Sequence, residues 1–250
     1  MAGRPSTLEP FIRSVALGAH AGSAGDGYPW DLPVVDALRA GALDLHPGVT
    51  YLVGENGSGK STLLEAVAIA AGINPEGGSS NFSFSTRDSH SALGDGLRLV
   101  RGARRPWTDF FLRAESLFTT ATYLENLPGA PMSSYGGRSL HEQSHGESFL
   151  AVLIDRLGPN GLYLLDEPEA ALSPLNCLAC LARIHDLVSD GSQLVIATHS
   201  PIVLAYPDAI IYECDGNGLR AIAYEEAEPV RLMTGFLADP GRYLTQLFGD

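Results

Sequence analysis

Short apolar runs bounded by glycine, proline or polar residues divide the chain into predicted strands. These runs cover residues 11–19, 49–53, 110–112, 162–165, 193–198 and 210–212. They are rich in β-branched and aromatic residues, which is typical of strands. Most are apolar throughout instead of alternating with polar residues, and this pattern favours strands that are buried on both faces.

Between the apolar runs, hydrophobic positions recur at helical spacing. Residues 60–71 carry apolar side chains at 63, 64, 67 and 68, and Gly72 follows as a stop signal. Further helices are predicted from 146 to about 157, from 174 to about 188, and as short amphipathic helices beyond Glu225. Because helices alternate with apolar strands, we predict an α/β fold with a mostly parallel sheet flanked by helices.

The remaining segments give weaker predictions. Residues 74–96 are rich in glycine, serine, asparagine and aspartate and are predicted as long loops, whereas 116–124 fit a strand or a helix equally well. We expect one domain over 1–250, in which about 75–150 forms a helical or loop lobe. No run approaches the roughly 18 apolar residues of a membrane span, and residues 1–10 do not resemble a signal peptide, so we expect a cytoplasmic protein.

Composition narrows the choice of partners. The formal net charge is −13, which disfavours broad electrostatic binding of nucleic acid, although a local basic patch stays compatible with it. The three cysteines are Cys177, Cys180 and Cys214. No second Cys or His pair accompanies them, so we interpret them as reduced, partly buried thiols in preference to metal or redox groups.

A glycine-rich segment between a predicted strand and a predicted helix fits the phosphate-binding pattern G-x-x-x-x-G-K-[ST]. It consists of Gly54, Glu55, Asn56, Gly57, Ser58, Gly59, Lys60 and Ser61. Glycines let backbone N–H groups converge on phosphate oxygens at a helix N-terminus. We therefore expect Lys60 to contact the β- and γ-phosphates of ATP, Ser61 to ligate Mg²⁺, and Thr62 to support the α-phosphate.

Two carboxylates follow the apolar strand at 162–165. Asp166 is expected to contact Mg²⁺ directly or through water, and Glu167 to accept a proton from the attacking water. His199 ends the next apolar strand and is expected to contact the γ-phosphate. Ser200 and Pro201 fit the N-cap and first position of a helix, which is a sufficient structural explanation for that pair.

The order of these motifs resembles that of the ABC ATPases. The segment Gln143, Ser144, His145, Gly146, Glu147 and Ser148 opens a predicted helix and is similar to the family's signature L-S-G-G-Q. The resemblance implies a P-loop NTPase fold with an antiparallel β portion and a small helical lobe. It also implies a nucleotide-sandwich homodimer, in which Ser144, Gly146 and Glu147 of one copy contact ATP held by the other. More narrowly, the chain is similar to bacterial stand-alone ATPases labelled as AAA-family or ABC-transporter ATP-binding proteins.

The resemblance has departures. His145 stands in place of the first signature glycine and Gln143 in place of the leucine, while Glu147 is the choice found in chromosome-maintenance and DNA-repair heads. Residues 170–173 fall where the family's D-loop lies, and Ser173 stands where aspartate is common. The glutamine of the Q-loop has no clear counterpart, because Glu115 fits that position and a plain surface position equally well.

An aromatic pair and an arginine cluster each allow two interpretations, one structural and one functional. Tyr28 and Trp30 lie where the family has an aromatic residue that stacks on adenine, but ordinary packing explains them equally well. An arginine cluster is formed by Arg98, Arg101, Arg104, Arg105 and Arg113. It fits a solvated face or internal pairing, which we favour, or contact with nucleic acid, nucleotide or a protein partner.

The pattern therefore predicts an enzyme, a Mg²⁺-dependent ATPase. We favour a compact soluble ATPase whose ATP-driven dimerisation regulates a protein partner, in nucleic-acid maintenance or defence. One alternative is the ATP-binding subunit of a membrane transporter, and another is an ATP-binding switch with negligible turnover. A chromosome-type head with its full coiled coil is excluded, because no heptads lie between Lys60 and Ser144.

Overall fold

The computed structural model describes residues 8–19, 21, 27–75, 77–79, 92–114, 145–216 and 218–249. Within these residues the strands are β1 (Ile12–Leu17), β2 (Leu43–Asp44), β3 (Val49–Val53), β4 (Leu97–Arg101), β5 (Thr108–Arg113), β6 (Gly161–Asp166), β7 (Gln193–Ala197), β8 (Ile210–Asp215) and β9 (Gly218–Ile222). The α-helices are α1 (Pro33–Ala40), α2 (Lys60–Ala71), α3 (Ala92–Gly96), α4 (His145–Ala151), α5 (Pro174–Ser189), α6 (Glu228–Ala238) and α7 (Pro240–Phe248). Shorter 3₁₀ segments span Pro168–Ala171, Val203–Ala205 and Tyr224–Glu226, and a π-helical turn, Val152–Arg156, continues α4.

The larger sheet has six strands in the order β5-β6-β7-β3-β8-β9. All neighbouring strands in it are parallel except β8 and β9, which pair antiparallel. A separate three-stranded sheet, β2-β1-β4, is antiparallel. Both the mostly parallel sheet and the antiparallel portion of the predicted fold are therefore confirmed.

Side chains of the central strands alternate between two hydrophobic clusters. Along β6, Tyr163 and Leu165 face one cluster, which includes residues of α4 and α5, whereas Leu162 and Leu164 face the other, which includes residues of α1, α2 and β1. This alternation is the two-residue period of a strand. Because both faces are covered by apolar side chains, the uninterrupted apolar runs in the sequence follow directly from the fold.

The predicted helices have the expected ends. Helix α2 begins at Lys60, buries Leu63, Leu64 and Val67, and ends before Gly72, whose left-handed φ of 84° closes the helix. At α5, the Ser173 side chain accepts a hydrogen bond from the Asn176 N–H, and proline occupies the first turn. None of the described helices is long and apolar enough to cross a membrane.

Several elements differ from the predictions. The loop predicted over 74–96 contains helix α3 at its end, and Gly78 forms a β-bridge with Phe111. The sequence did not predict strands β2, β4 and β9 or helix α1. The helix expected from 146 to about 157 begins at His145 and continues as the π-helical turn. The ambiguous segment 116–124 and much of the predicted lobe lie outside the described residues.

Candidate active site

The glycine-rich turn connects β3 to α2 at the carboxyl end of a fully buried strand. Gly54 has a φ of 138°, and a Cβ placed there would lie 2.0 Å from the carbonyl oxygen of Cys214. Gly59 has a φ of 98° and directly precedes the helix. These positions need glycine because of left-handed backbone and the close approach of β8. The predicted order of strand, glycine-rich turn and helix is present.

Lys60 lies inside this turn. Its side chain is 4% exposed, and Nζ donates hydrogen bonds to the carbonyl oxygens of Gly54 at 2.6 Å and Glu55 at 2.8 Å. Burial lowers the pKa of Lys60, while the nearby carboxylates, Glu167 first among them, oppose that change. The ammonium group is therefore held at the centre of the turn, where the phosphates of a nucleotide would lie.

Asp166 and Ser61 meet beside the turn. The Ser61 hydroxyl donates a hydrogen bond to Oδ1 of Asp166 over 2.9 Å, and the carboxylate is buried. Mg²⁺ prefers oxygen ligands and is usually bound by one or two protein oxygens together with phosphates and waters. The hydroxyl and carboxylate therefore fit the metal that the sequence predicted for them.

Arg113 is a member of this site that sequence reasoning did not assign. It is the register partner of Asp166 across β5 and β6, and its Nε lies 3.4 Å from Oδ2 of that carboxylate. Its Nη1 lies 3.2 Å from Oε2 of Glu65 on α2. Arg113 thus connects β5, β6 and helix α2.

Glu167 and His199 lie at the ends of neighbouring parallel strands, β6 and β7. Oε1 of Glu167 is 3.6 Å from Nε2 of His199. Within the described part of the chain, Nε2 is buried and has no hydrogen-bond partner. Glu167 has a left-handed backbone, with a φ of 50° and a ψ of 54°, which turns the chain sharply after Asp166. This geometry places a general-base candidate beside an imidazole nitrogen suited to a phosphate oxygen.

Glu169 is the second residue that sequence reasoning missed. Its Oε2 accepts a hydrogen bond from the Thr198 hydroxyl at 2.7 Å, and its Oε1 accepts one from the backbone N–H of His199. The Ser200 side chain accepts a hydrogen bond from the Val203 N–H, as a capping residue would. The segment after β7 is therefore fixed on both sides of the imidazole.

The signature residues are only partly described. Gln143, Ser144 and Glu115 lie outside the described residues, so their predicted roles stay predictions. Gly146 is in the first turn of α4, and a Cβ there would lie 2.7 Å from the carbonyl oxygen of Ala171. The helix start expected near Gly146 is thus present and packs closely on the 3₁₀ segment Pro168–Ala171 that follows Glu167.

The structure distinguishes the two aromatic candidates. Trp30 is 9% exposed, belongs to a hydrophobic cluster and lies so close to Gly96 that a Cβ there would be 2.5 Å from its ring. Tyr28 is 70% exposed, and its hydroxyl lies 3.4 Å from Oγ1 of Thr62. Packing therefore explains Trp30, whereas Tyr28 lies beside the first turn of α2.

Most of the arginine cluster makes internal contacts, the interpretation that we favoured. Arg104 donates hydrogen bonds to Oδ1 of Asn160 at 2.7 Å and to the Gly191 carbonyl at 3.1 Å. Arg105 donates to the Gly102 carbonyl at 3.0 Å. The cysteines are free and buried, and burial raises the pKa of Cys180 to about 12. Of the arginine cluster, Arg113 contacts a site carboxylate, that of Asp166.

Two cavities adjoin the glycine-rich turn. One, of about 520 Å³, is lined by residues 54–58, the end of β8 and the start of α6. The other, of about 1190 Å³, extends from Gly54 and His199 along the apolar side chains of α6 and α7. Ligand pockets in proteins commonly measure about 300–1000 Å³, so either cavity can hold part of a nucleotide.

Two protein-family models match the chain. One, described as "AAA domain", matches residues 37–105, and the other, described as "AAA domain, putative AbiEii toxin, Type IV TA system", matches residues 108–205. The first match contains the glycine-rich turn, and the second contains Asp166, Glu167 and His199. The site residues thus lie inside the matched stretches.

Curated relatives are similar over most of the chain. It is 28% identical over 226 residues to the pyoverdine export ATP-binding/permease protein PvdT of Pseudomonas entomophila, covering 80% of the chain and 33% of that protein. It is 27% identical over 219 residues to the macrolide export ATP-binding/permease protein MacB of Escherichia coli O157:H7, covering 77% and 32%. It is 26% identical over 248 residues to the xylose import ATP-binding protein XylG of Pseudomonas syringae pv. tomato, covering 86% and 44%. The chain therefore spans a third to under a half of these relatives.

Solved structures are similar at lower identity. The SMC head bound to the C-terminal winged-helix domain of ScpA is 14% identical, with a TM-score of 0.49 over 85% of this chain and 98% of that chain. The SMC head domain from Thermotoga maritima is 16% identical, with a TM-score of 0.41 over 72% and 92%.

Proposed function

We propose that the chain is an ABC-type P-loop ATPase, which binds ATP with Mg²⁺ and hydrolyses it between two copies of itself. The observation that supports this most is the convergence of Lys60, Ser61, Asp166, Glu167 and His199 at one edge of the parallel sheet. In open α/β sheets, ligands bind outside the carboxyl ends of the strands.

The chain's own groups would bind the triphosphate. Backbone N–H groups of residues 54–61 and the N-terminus of α2 offer donors and a partial positive charge to the phosphates. Lys60 would contact the β- and γ-phosphates, and Thr62 the α-phosphate. Ser61 and Asp166 would hold Mg²⁺, which neutralises developing charge on the phosphate oxygens when bound.

Glu167 would act as the general base for the attacking water. His199 would donate a hydrogen bond through Nε2 to the γ-phosphate, and the 3.6 Å separation between Nε2 and Oε1 of Glu167 would let both groups act on the same phosphate. General-base assistance of this kind contributes about 10²–10⁴ in rate. The left-handed turn at Glu167 separates its role from that of Asp166, which contacts Ser61 instead.

A second copy would complete each site. The motif order implies that Ser144, Gly146 and Glu147 at the start of α4 in one copy would contact the γ-phosphate bound by the other. An anion at a helix N-terminus is stabilised by free backbone N–H groups and the helix dipole. Closure of the dimer would then depend on ATP, and its release on hydrolysis, so that the cycle could regulate a protein partner in nucleic-acid maintenance or defence.

A transporter ATP-binding subunit is the second candidate. The observation that favours it is that the curated relatives above are named as export or import ATP-binding proteins. Affinity purification from native membranes and cytosol would separate the candidates. Stoichiometric recovery of an integral membrane protein would support transport and contradict the preferred function.

Phosphate release by the purified protein tests the enzymatic proposal. We expect Glu167→Gln to lower the rate at saturating ATP by about 10²–10⁴. The matched control is Glu225→Gln, which changes an exposed carboxylate in the same way. Equal turnover by wild type and Glu167→Gln would contradict the assignment of the base. Tight ATP binding without measurable release by wild type would support the alternative of a binding switch.

A further inference from the structure

The carboxylate of Glu169 bridges two groups at the end of β7. One oxygen accepts a hydrogen bond from the Thr198 hydroxyl at 2.7 Å, and the other accepts one from the backbone N–H of His199. The Thr198 oxygen in turn accepts a hydrogen bond from the Ser200 N–H at 3.1 Å. The Glu169 side chain therefore holds the backbone of Thr198 and His199 in place.

The backbone around Glu169 is itself held in place. The Glu167 N–H donates to the Ala197 carbonyl at 2.9 Å, which ties the start of the segment to β7. The Leu172 N–H donates to the Glu169 carbonyl at 2.9 Å and closes the 3₁₀ turn. On its other side, the Ala171 carbonyl packs under Gly146 of α4. The backbone that carries the Glu169 side chain therefore has little freedom to move.

We propose that Glu169 is a positioning residue for His199, an inference that rests on the proposed ATPase function. Both oxygens of Glu169 accept hydrogen bonds from Thr198 and His199, which follow β7. Because both oxygens are already occupied, we do not assign this carboxylate as the general base for the attacking water. Its effect is on geometry, because the hydrogen bond to the His199 N–H sets the distance between the imidazole and Glu167. A displacement of about 1 Å in a reacting group costs on the order of 10²-fold in rate.

Two substitutions separate positioning from general stability. Glu169→Ala removes both hydrogen bonds and leaves the His199 N–H without this acceptor. Glu169→Gln keeps a carbonyl oxygen for that N–H, and its amide can donate to the Thr198 oxygen, so it preserves the geometry without the charge. We therefore expect the glutamine variant to rescue much of what the alanine variant loses.

The first measurement is the NMR spectrum of the imidazole of His199 in nucleotide-free protein. The chain has seven histidines, and His199→Gln identifies the resonances. We expect Glu169→Ala to shift the His199 resonances and Glu169→Gln to leave them near the wild-type positions. Unchanged His199 resonances in Glu169→Ala would overturn the proposal. Should Glu169→Ala not fold, Thr198→Val removes one of the two contacts, and no shift in that variant would overturn it equally.

The second measurement is a kinetic double-mutant cycle. We expect Glu169→Ala to lower kcat for phosphate release by about 10–100-fold with KM for ATP nearly unchanged. Adding Glu169→Ala to His199→Ala should cost little more, since residues that act as a unit are not additive. Independent, multiplying losses would contradict the proposal. If wild type and Glu167→Gln release phosphate equally, the proposed function fails, and the NMR comparison alone decides the role of Glu169.

Discussion

Among single residues, Lys60 is the one that we propose to contact the phosphates of ATP most directly. Its ammonium is buried in the turn and bonded to the carbonyls of Gly54 and Glu55, so it is fixed where a triphosphate would lie. A hydrogen bond to a charged group contributes about 1.5–3 kcal/mol. We therefore predict that Lys60→Ala weakens ATP binding by at least roughly 10–100-fold.

Titration calorimetry with ATP and Mg²⁺ measures this loss. Arg39→Ala is the control, because Arg39 is an exposed cation paired only with Asp36 among the ion pairs of the described residues. Its affinity for ATP should equal that of wild type. An ATP affinity of Lys60→Ala within twofold of wild type would show that the triphosphate is not bound in the glycine-rich turn.

The two aromatic residues before the turn should respond differently to substitution. Tyr28 is exposed beside Thr62, so we predict that Tyr28→Ala weakens ATP binding by about 1–3 kcal/mol through loss of stacking on the base, without lowering the melting temperature. Trp30→Ala should instead destabilise the fold by about 3–5 kcal/mol. Calorimetry and thermal unfolding of both variants check this, and a Tyr28→Ala variant that binds ATP normally would contradict it.

The sequence predicted the residues whose spacing is local. Gly54, Lys60 and Ser61 are recognisable because their motif is contiguous, and Asp166 because it ends an apolar strand. Arg113 and Glu169 act through contacts across strands, since one is the register partner of Asp166 and the other reaches the end of β7. Strand register and the direction of a 3₁₀ turn are not visible in residue spacing, so these two positions required the structure.

At the scale of elements, the layer formed by β6 and α5 has a predicted dependence on pH. Burial raises the pKa of the Cys180 thiol from 9.0 to about 12 and that of the Tyr163 hydroxyl from 10.0 to about 12. A group whose pKa is higher in the folded state contributes stability that is complete below its unfolded pKa. We therefore predict that the free energy of unfolding falls as the pH rises from about 9 to 12.

Urea unfolding at several pH values between 7 and about 11 measures this dependence. Cys180→Ala should flatten the alkaline part of the curve, because the thiol no longer has to ionise in the unfolded state. Tyr28→Phe is the control, because Tyr28 is exposed, and it should leave the pH dependence of the free energy of unfolding unchanged. A free energy of unfolding that stays constant up to the highest pH would contradict the burial of both groups.

Strands with continuous apolar runs were predicted, whereas β4, which has a mixed environment, was missed. The buried strands β3, β6 and β7 have continuous apolar runs, and α2 has a regular apolar stripe. Strand β4 reads Leu-Arg-Leu-Val-Arg and lies at the edge of the small sheet, where partial exposure tolerates arginine. Its strand conformation comes from pairing with β1, a contact that is distant in sequence.

At the scale of the whole molecule, the order of the strands creates the site. Strands β6, β7 and β3 are neighbours although β3 is far from them in sequence, so their carboxyl ends bring Glu167, His199 and Gly54 to one edge. The alternation of helices and strands predicted a parallel sheet covered on both faces. It could not predict this order, because several orders satisfy the same alternation.

We propose the association of two copies because of how the predicted site residues are divided. The glycine-rich turn and the carboxylates belong to one edge of the sheet, whereas the residues expected to close over the γ-phosphate lie at the start of α4. The N-terminus of α4 would favour closure only when ATP is bound, because its N–H groups and partial positive charge would act on the γ-phosphate. In the proposed cycle hydrolysis releases the closed pair of molecules, so blocking the base should accumulate that pair.

The most direct test of this account is the mass of Glu167→Gln by light scattering with ATP and Mg²⁺. We predict that the mass is twice that of the same protein without nucleotide, and that adding Lys60→Ala returns it to the nucleotide-free value. If Glu167→Gln binds ATP in the glycine-rich turn and its mass stays unchanged, two copies do not close over the nucleotide and the central claim is wrong.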